Sequence, residues 1–425
     1  MKKSFPRAAA LTAAAALAVS LAGCTPGYED YADPLATQES APDTAPASGE
    51  LQMLSHGTDD GYYLSLMDLT RGSEDRTDLL GYVDYAQTRA AVLCAQPNCT
   101  HSDGNCPAWQ GVWGGSAWAL PGGEHIVTNT VEDSGEEQVY LLTLCAPDGT
   151  EEKTLCRSAN NNIPTMADDH WLYCLTGQGL NLWRVPLDGG EPEELVTLNA
   201  YDVEGCLGRE IFYPVYGSAE QADGTALTTL TYTAYNIDTG ATRVLLDVSY
   251  SSDNISNPYL DMDGATLYWY DPAAGSLCVV DVKTGQESRM PVNWDFSRAG
   301  CGTIYQTTPC AVVDGKLIVD QYGDMGSCRA AVNPADGSAY ELTLGYIRNG
   351  RSESVQILAR SSHGLLVKYE NRLTSKDEVK DDGSVGTVDI EQVRLALIDP
   401  EAFLQNQPDY RDIAPVEGFD GEFAC

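Results

Sequence analysis

The sequence predicts an all-β protein built as a single β-propeller, with seven blades favoured and six or eight as alternatives. From about residue 51, short runs of β-branched and aromatic residues alternate with Asp-Gly and Thr-Gly turns. Turn glycines recur at spacings of 40, 51, 45 and 52 residues, at Gly149, Gly189, Gly240, Gly285 and Gly337. These spacings match the ~40–50-residue period of propeller blades. No long stretch has the 3.6-residue period of an amphipathic helix.

Each turn belongs to a recurring unit of two strands, an Asp/Gly turn and a further strand. Degenerate copies lie near Tyr82–Leu93 and across Gly364–Asp399, and the second of these contains a polar insertion over Asn371–Gly386. A pair of β-sandwiches is the rival architecture. The repeating unit favours the propeller, because each blade buries its faces against its neighbours and exposes only short edges.

Two short segments carry a family resemblance. Trp183–Gly190 and Leu267–Asp271 resemble blade motifs of TolB-like and YWTD-like propellers. In particular they resemble a bacterial domain class of unknown function described as low-density-lipoprotein-receptor-like, with Tyr270 in place of the YWTD threonine. The similarity covers most of residues 55–400. It implies a propeller fold, which elsewhere serves as a protein-binding platform, a sugar-binding surface or an enzyme.

Cys24 is the predicted maturation and anchoring site. A basic start and an apolar run precede Leu21-Ala22-Gly23, which stands directly before the cysteine. This order is that of a secretory leader, and a cysteine just after the cleavage site is typical of a bacterial lipobox. We therefore expect cleavage before Cys24, lipid attachment to its thiol and an extracytoplasmic location, with the protein anchored to the cell membrane.

The chain is predicted to have three parts. Residues 1–23 form the lipoprotein signal peptide, and residues 51–425 form the propeller domain. Residues 24–50 form a lipidated, flexible acidic linker, since they hold four prolines, six acids and no Lys or Arg. Such a segment buries too little apolar surface to offset the entropy of ordering.

The charge of the chain excludes one class of partner. Asp and Glu total 62 against 25 Lys and Arg, which gives a formal net charge of −37. Such a charge repels nucleic acid phosphates and anionic lipid headgroups. We therefore expect no nucleic acid partner, and contact with the membrane only through the N-terminal lipid.

Thirteen cysteines is a high count. Setting aside Cys24 leaves an even number, which suggests disulfides in an exported protein. The sequence does not fix their pairing, and a reducing habitat would weaken the inference. The twelve are Cys94, Cys99, Cys106, Cys145, Cys156, Cys174, Cys206, Cys278, Cys301, Cys310, Cys328 and Cys425.

Three of these cysteines form the sharpest local feature with a histidine. Cys94, Cys99, His101 and Cys106 lie within thirteen residues, and zinc favours four such ligands in a tetrahedron. The segment also resembles a recurrent motif of predicted lipoproteins from gut bacteria. A structural zinc or cluster is one interpretation. A disulfide between two of the cysteines, with His101 as a bystander, is the rival, and a catalytic site is a third.

Other candidate chemistry is sparse. Asp168-Asp169-His170 could hold a metal or act as an acid–base pair, but its position before a strand favours a turn. Two acidic pairs could hold calcium, or could be solvated loops: Asp261 with Asp263, and Asp381 with Asp382. The sequence contains no Gly-x-Ser-x-Gly elbow and no Gly-x-x-x-x-Gly-Lys loop.

Together these observations favour a non-enzymatic binding module for a peptide, glycan or partner protein. An envelope polysaccharide hydrolase or lyase and a structural envelope-assembly factor are the alternatives. A hydrolase would place two carboxyl groups ~5–9.5 Å apart in one pocket. No catalytic residue is assigned from the sequence.

Overall fold

The computed structural model describes residues 49–425 apart from 68–77, 102–103, 111–115, 134–137, 177–180, 201, 221–225, 252, 295–300, 349, 380–383, 417–421 and 425. The predicted signal peptide, Cys24 and nearly all of the linker lie outside the described residues. In the described part, none of the helices combines the length and apolar composition needed to cross a bilayer.

The described strands form seven sheets, numbered here in chain order. Sheet 1 contains β2 Gly61–Met67, β3 Asp78–Asp84, β4 Arg89–Val92 and β32 Glu422–Ala424. Sheet 2 contains β5 Ser116–Ala119, β6 Ile126–Asp133, β7 Gln138–Cys145 and β8 Glu151–Ser158. Sheet 3 contains β1 Gln52–Met53, β9 Asn162–Ala167, β10 Trp171–Thr176, β11 Asn181–Pro186 and β12 Glu193–Thr197. Sheet 4 contains β13 Gly205–Leu207, β14 Glu210–Glu220, β15 Ala226–Asn236 and β16 Thr242–Ser251.

The remaining sheets come from the last part of the chain. Sheet 5 contains β18 Tyr259–Asp261, β19 Thr266–Asp271, β20 Ser276–Asp281 and β21 Glu287–Pro291. Sheet 6 contains β17 Ile255–Ser256, β22 Ile304–Val313, β23 Lys316–Gly323, β24 Gly326–Val332, β25 Ala339–Leu342, β26 Gly345–Arg348 and β27 Arg351–Ser354. Sheet 7 contains β28 Gln356–Ser361, β29 Gly364–Val379, β30 Val385–Ile398 and β31 Arg411–Asp412, with a short helix α1 at Pro400–Leu404.

The all-β propeller prediction is confirmed, but the prediction of seven blades is wrong, because the described part of the chain has six. These six blades are sheets 2 to 7, and each contains four strands from one continuous segment. Sheet 1 is composite: its own segment supplies only β2, β3 and β4, and β32 at Glu422–Ala424 pairs with β2 to complete it. Sheet 1 therefore combines strands from an early and a late segment of the described chain.

Buried apolar clusters join each sheet to the next. The cluster of Leu64, Leu66 and Val83 in sheet 1 also contains Leu366 and Leu397 of sheet 7, so sheet 1 packs against the last blade. Between sheets 4 and 5, Phe212, Tyr232 and Trp269 are all at most 2% exposed. Burial of such faces between neighbours is the main stabilising contribution in a propeller.

The five repeated glycines form matching turns. Each connects the third and fourth strands of a contiguous blade, in sheets 2 to 6. All five have positive φ: 84° at Gly149, 86° at Gly189, 69° at Gly240, 69° at Gly285 and 72° at Gly337. Glycine adopts this left-handed conformation without a Cβ clash, which explains its recurrence at one position of the blade.

The predicted polar insertion over Asn371–Gly386 is built mostly from strand. β29 and β30 are paired from Leu365–Ile398 to Val379–Val385, and residues 380–383 lie outside the described part of the chain. Because the two strands satisfy each other's backbone hydrogen bonds, this polar hairpin can form without an apolar core of its own.

Sheet 6 contains a buried ion pair that the sequence analysis did not find. Asp320 and Arg329 face each other across β23 and β24. Arg329 donates from Nε to Asp320 Oδ1 at 2.5 Å and from Nη2 to Oδ2 at 2.7 Å. A third donor, Nη1, reaches the carbonyl oxygen of Val355 in the connection to sheet 7. The pair therefore ties two neighbouring sheets together.

Among the described cysteines, one disulfide is formed. It joins Cys301, before β22, to Cys328 in β24. The other nine described cysteines are not disulfide-bonded, and six of them are buried. The expectation of general pairing is therefore wrong for these nine, because most are distributed among separate inter-sheet cores, where a thiol packs as a small apolar group.

Candidate metal centre and adjoining groove

The predicted Cys/His cluster lies on the connection between sheets 1 and 2. Leu93, just after β4, donates its backbone N–H to the carbonyl oxygen of Leu80 at 2.9 Å. The chain then leaves the sheet and returns to the same strand, where the N–H of Leu80 donates to the carbonyl oxygen of Ala108 at 2.7 Å. Residues 94–107 are thus an excursion, called here the Cys/His loop, and both of its ends are fixed to one residue of β3.

The loop brings all four candidate ligands together. The thiol sulfurs of Cys94, Cys99 and Cys106 and a ring nitrogen of His101 lie within 4.8 Å of one another. Nδ1 of His101 is 3.3 Å from Sγ of Cys106. Tetrahedral ligands around zinc are separated by roughly 3.7 Å. The cluster could therefore hold a metal ion.

Two backbone conformations shape this loop. Asn98 has φ of 60° and His101 has φ of 53°, a left-handed region that asparagine and histidine enter more often than most residues. These two tight turns direct the chain back on itself between Cys94 and Cys106. The disulfide alternative is not found among these described residues, because Cys94, Cys99 and Cys106 are not disulfide-bonded.

Burial determines the pKa and the reactivity of the Cys106 thiol. Cys106 is buried in the cluster between sheets 1 and 2. Burial, with smaller contributions from the neighbouring Cys99 and Cys94, raises the pKa of the Cys106 thiol to about 12. A thiol with such a pKa is a poor nucleophile at neutral pH. Four protein ligands also leave no open position for a substrate, so the arrangement suits a structural metal rather than catalysis.

The other predicted metal candidates do not form comparable clusters. Within the described residues, the Cys/His loop is the one place where three or more His, Cys, Asp or Glu side chains converge closely enough to hold an ion. Asp261 and Asp263 are described and are not part of such a group. Asp381 and Asp382 lie outside the described residues.

The Asp168-Asp169-His170 segment is the predicted turn, between β9 and β10. Oδ1 of Asp168 accepts hydrogen bonds from the backbone N–H groups of His170 at 3.0 Å and Trp171 at 2.9 Å. Its Oδ2 accepts from Tyr173 Oη and Arg209 Nη1, both at 2.8 Å. Burial opposes ionisation, but these hydrogen bonds outweigh it and lower the pKa of Asp168. The carboxylate joins sheet 3 to sheet 4.

A groove that the sequence analysis missed adjoins the Cys/His loop. It lies between this loop and one face of sheet 2, with a volume of about 960 Å³. Pro97, Gly104 and Cys106 line it from the loop, and Trp109 and Gln110 from the segment just after the loop. Its size falls within the usual range for small-molecule sites.

The floor of this groove is a row of threonines. Thr128 in β6 is paired with Thr143 in β7, and Thr143 is paired with Thr154 in β8. The three side chains therefore lie side by side on the same face of sheet 2. Thr128 and Thr143 are buried, whereas Thr154 is exposed, so the row runs from the floor of the groove to its rim.

Gln110 supplies an unpaired polar atom at the same place. The residue is 3% exposed, and its backbone N–H donates to the carbonyl oxygen of Asp78 at 2.9 Å. Within the described part of the chain, its side-chain Oε1 is buried and has no hydrogen-bond partner. A buried polar group without a partner carries a desolvation cost, which a bound ligand that donates a hydrogen bond would remove.

Comparisons with known proteins add only remote similarities. No family model and no curated protein matches this chain. Among solved structures, Sqt1 from Chaetomium thermophilum is 11% identical, with a TM-score of 0.35 over 69% of each chain. Kluyveromyces lactis Hsv2 is 11% identical, with a TM-score of 0.32 over 66% of this chain and 93% of that one.

A third similar structure is a peptidase. Oligopeptidase B from Trypanosoma brucei with covalently bound antipain is 12% identical, with a TM-score of 0.37 over 80% of this chain. This chain spans 53% of the length of that oligopeptidase chain. Similarity this remote assigns no activity, so the fold rests on the chain's own strand pairing: this is an all-β propeller with a Cys₃His cluster beside a polar groove.

Proposed function

We propose that this protein is a lipid-anchored, extracytoplasmic binding module, with the propeller as its rigid scaffold and the groove beside the Cys/His loop as its ligand site. The supporting observation is the buried, unpaired Oε1 of Gln110 in a groove of about 960 Å³. Convergent polar groups in such a groove are typical of ligand sites. The segments Trp183–Gly190 and Leu267–Asp271 further support kinship with TolB-like and YWTD-like propellers.

Binding is favoured over hydrolysis by the charges in the groove. Among the described residues that line it, Glu151 is the single carboxylate. Glycoside hydrolysis normally uses two carboxyl groups across the scissile bond. The proposed module therefore retains its ligand without cleaving it.

A binding assay paired with a product assay tests this proposal. Full-length protein in detergent is incubated with purified envelope polysaccharide and with envelope peptides, and a heat-denatured sample serves as the control. We expect saturable retention of one ligand class by the folded protein and no increase in reducing ends or free amines. Release of new chain ends above the control would contradict a binding-only role.

The lipid anchor gives a prediction of its own. Cys24→Ser should abolish incorporation of radiolabelled palmitate, because it removes the thiol that carries the lipid. Cys94→Ser, which changes a different thiol, should keep the label. A Cys24→Ser protein that remains labelled would contradict lipidation at this residue.

We further propose that the Cys₃His cluster holds a structural zinc ion. Elemental analysis of purified full-length protein should find about one zinc per chain. His101→Ala should lose most of this metal, because one of the four ligands is removed, whereas His170→Ala, in the turn before β10, should retain it. Purified wild-type protein containing neither zinc nor iron would rule out the metal centre.

A further inference from the structure

We infer that the groove between the Cys/His loop and sheet 2 binds an uncharged carbohydrate. This inference rests on the proposed binding function and names its ligand class. It follows from three independent properties of the groove: its row of paired threonines, the unpaired amide oxygen of Gln110 and its lack of net charge.

The threonine row places three hydroxyl-bearing side chains on neighbouring strands; the hydroxyl of Thr154 also donates to Glu151 Oε1 at 3.4 Å, and that of Thr128 lies 3.8 Å from Cys145 Sγ. Thr128, Thr143 and Thr154 occupy directly paired positions on β6, β7 and β8, and neighbouring strands lie about 4.8 Å apart. A hydroxyl both donates and accepts hydrogen bonds, as do the hydroxyls of a sugar. A row of this kind therefore matches successive hydroxyls along a saccharide without requiring charge on the ligand.

Gln110 adds a directional acceptor to this row. Its Oε1 is buried and unpaired, and a sugar hydroxyl can donate a hydrogen bond to it. Trp109, the neighbouring residue, also lines the groove. An indole ring offers an apolar surface together with one N–H donor, which suits the C–H and O–H groups of a pyranose.

The groove differs from the chain as a whole in its net charge. Of its twenty described lining residues, only Glu151 and Arg157 carry a formal charge, and their signs are opposite. The whole chain, in contrast, has a net charge of −37. A site for a basic peptide would be expected to share the acidic excess, and a site for an acidic polysaccharide would need several basic groups.

The position of the row also disfavours an extended peptide. Peptides that add to a sheet do so at an edge strand, through free backbone groups. Thr128 and Thr143 instead lie on β6 and β7, which are paired with neighbours on both sides, and only Thr154 lies on the edge strand β8. The groove therefore offers side-chain hydroxyl and amide groups, which is the pattern that recognises a polyol.

Affinity electrophoresis with two matched variants tests the inference. Full-length protein in detergent is run in native gels containing dextran, galactomannan or arabinoxylan, with polygalacturonate as the acidic comparison. The test variant is T128V/T143V, which keeps the side-chain volume and removes two hydroxyls. The control is Thr233→Val, which makes the same change in β15 of sheet 4. Circular dichroism and thermal unfolding verify that both variants fold.

We expect at least one neutral polysaccharide to retard the wild-type protein and Thr233→Val equally. T128V/T143V should raise the dissociation constant about tenfold, since each lost hydrogen bond contributes several-fold. Equal retardation of the wild-type protein and the folded double variant would overturn the inference, as would retardation by none of the neutral polymers. If no neutral polymer retards the protein but a purified envelope peptide binds saturably, the carbohydrate inference fails and the proposed binding function stands. If no ligand binds saturably, the carbohydrate inference and the proposed binding function both fail.

Discussion

Replacing Arg329 with methionine is expected to lower the free energy of unfolding by about 3–5 kcal/mol. Arg329 and Asp320 are 5% and 4% exposed, and two hydrogen bonds join their charged groups. Methionine would leave the carboxylate of Asp320 buried without its counter-charge. It would also leave the carbonyl oxygen of Val355 without the guanidinium donor that links sheet 6 to the start of sheet 7.

A matched control separates this effect from the general loss of an arginine. Arg360 pairs with Asp314 at 3.5 Å, and both side chains are 49% exposed. Arg360→Met should therefore cost no more than about 1 kcal/mol, because water screens the pair and already solvates both groups. Urea denaturation followed by circular dichroism measures both variants.

The double variant D320N/R329M provides the decisive comparison. Removing the charge of Asp320 together with that of Arg329 should recover part of the lost stability, because the cost arises from an uncompensated buried charge. A single variant R329M that unfolds within about 1 kcal/mol of the wild type would contradict this account of the ion pair.

The repeat was predictable because its signals are local. Gly149 and Gly285, for example, stand at turns whose positive φ selects glycine, and the neighbouring strands have the composition of half-buried sheets. Such signals depend only on residues a few positions apart. They therefore predicted the architecture and the positions of most blades.

Closure of the ring was not predictable in the same way. The pairing of Glu422–Ala424 with β2 joins segments far apart in the sequence, and the strand at Gln52–Met53 pairs with β9 in a different sheet. Each segment is too short to have a recognisable period. Their partners are set by where the completed ring leaves an unpaired strand edge.

The two components of the candidate site illustrate the same limit. Cys94, Cys99, His101 and Cys106 were predicted as one cluster because a single loop carries them. The row of Thr128, Thr143 and Thr154 depends instead on the register of three strands, and no signal in the sequence marks those threonines. Gln110 became a candidate only when its burial showed that its side-chain oxygen lacks a partner.

Asp320 and Arg329 are an intermediate case. The turn between Gly323 and Gly326 places them directly opposite each other in a hairpin. Their pairing follows from the positions of the two strands once that hairpin is recognised. The repeating turn glycine at Gly337 marks the end of β24, but no repeated signal marks the turn between Gly323 and Gly326, so the pair was not predicted.

Metal binding at the Cys/His loop is expected to weaken steeply as the pH falls. The metal-free thiol of Cys106 has a pKa raised to about 12 by burial, so it is protonated at neutral pH and must lose its proton to bind an ion. Each proton released on binding makes affinity fall about tenfold for every pH unit of acidification. Cys106 alone gives this slope, and every further ligand that is protonated at the same pH adds another factor of ten per unit.

Competition with a chromophoric zinc chelator at about pH 6, 7 and 8 measures this dependence in the full-length protein. Cys106→Ser should bind zinc more weakly and with a slope shallower by about one power of ten per pH unit, because the proton released by that thiol is no longer part of the reaction. His170→Ala should keep the wild-type slope. A zinc affinity that does not change between these pH values would show that the thiol of Cys106 is not a ligand.

The loop also forms one wall of the groove, through Pro97 and Gly104. Metal-free protein should therefore bind the groove's ligand more weakly than zinc-loaded protein.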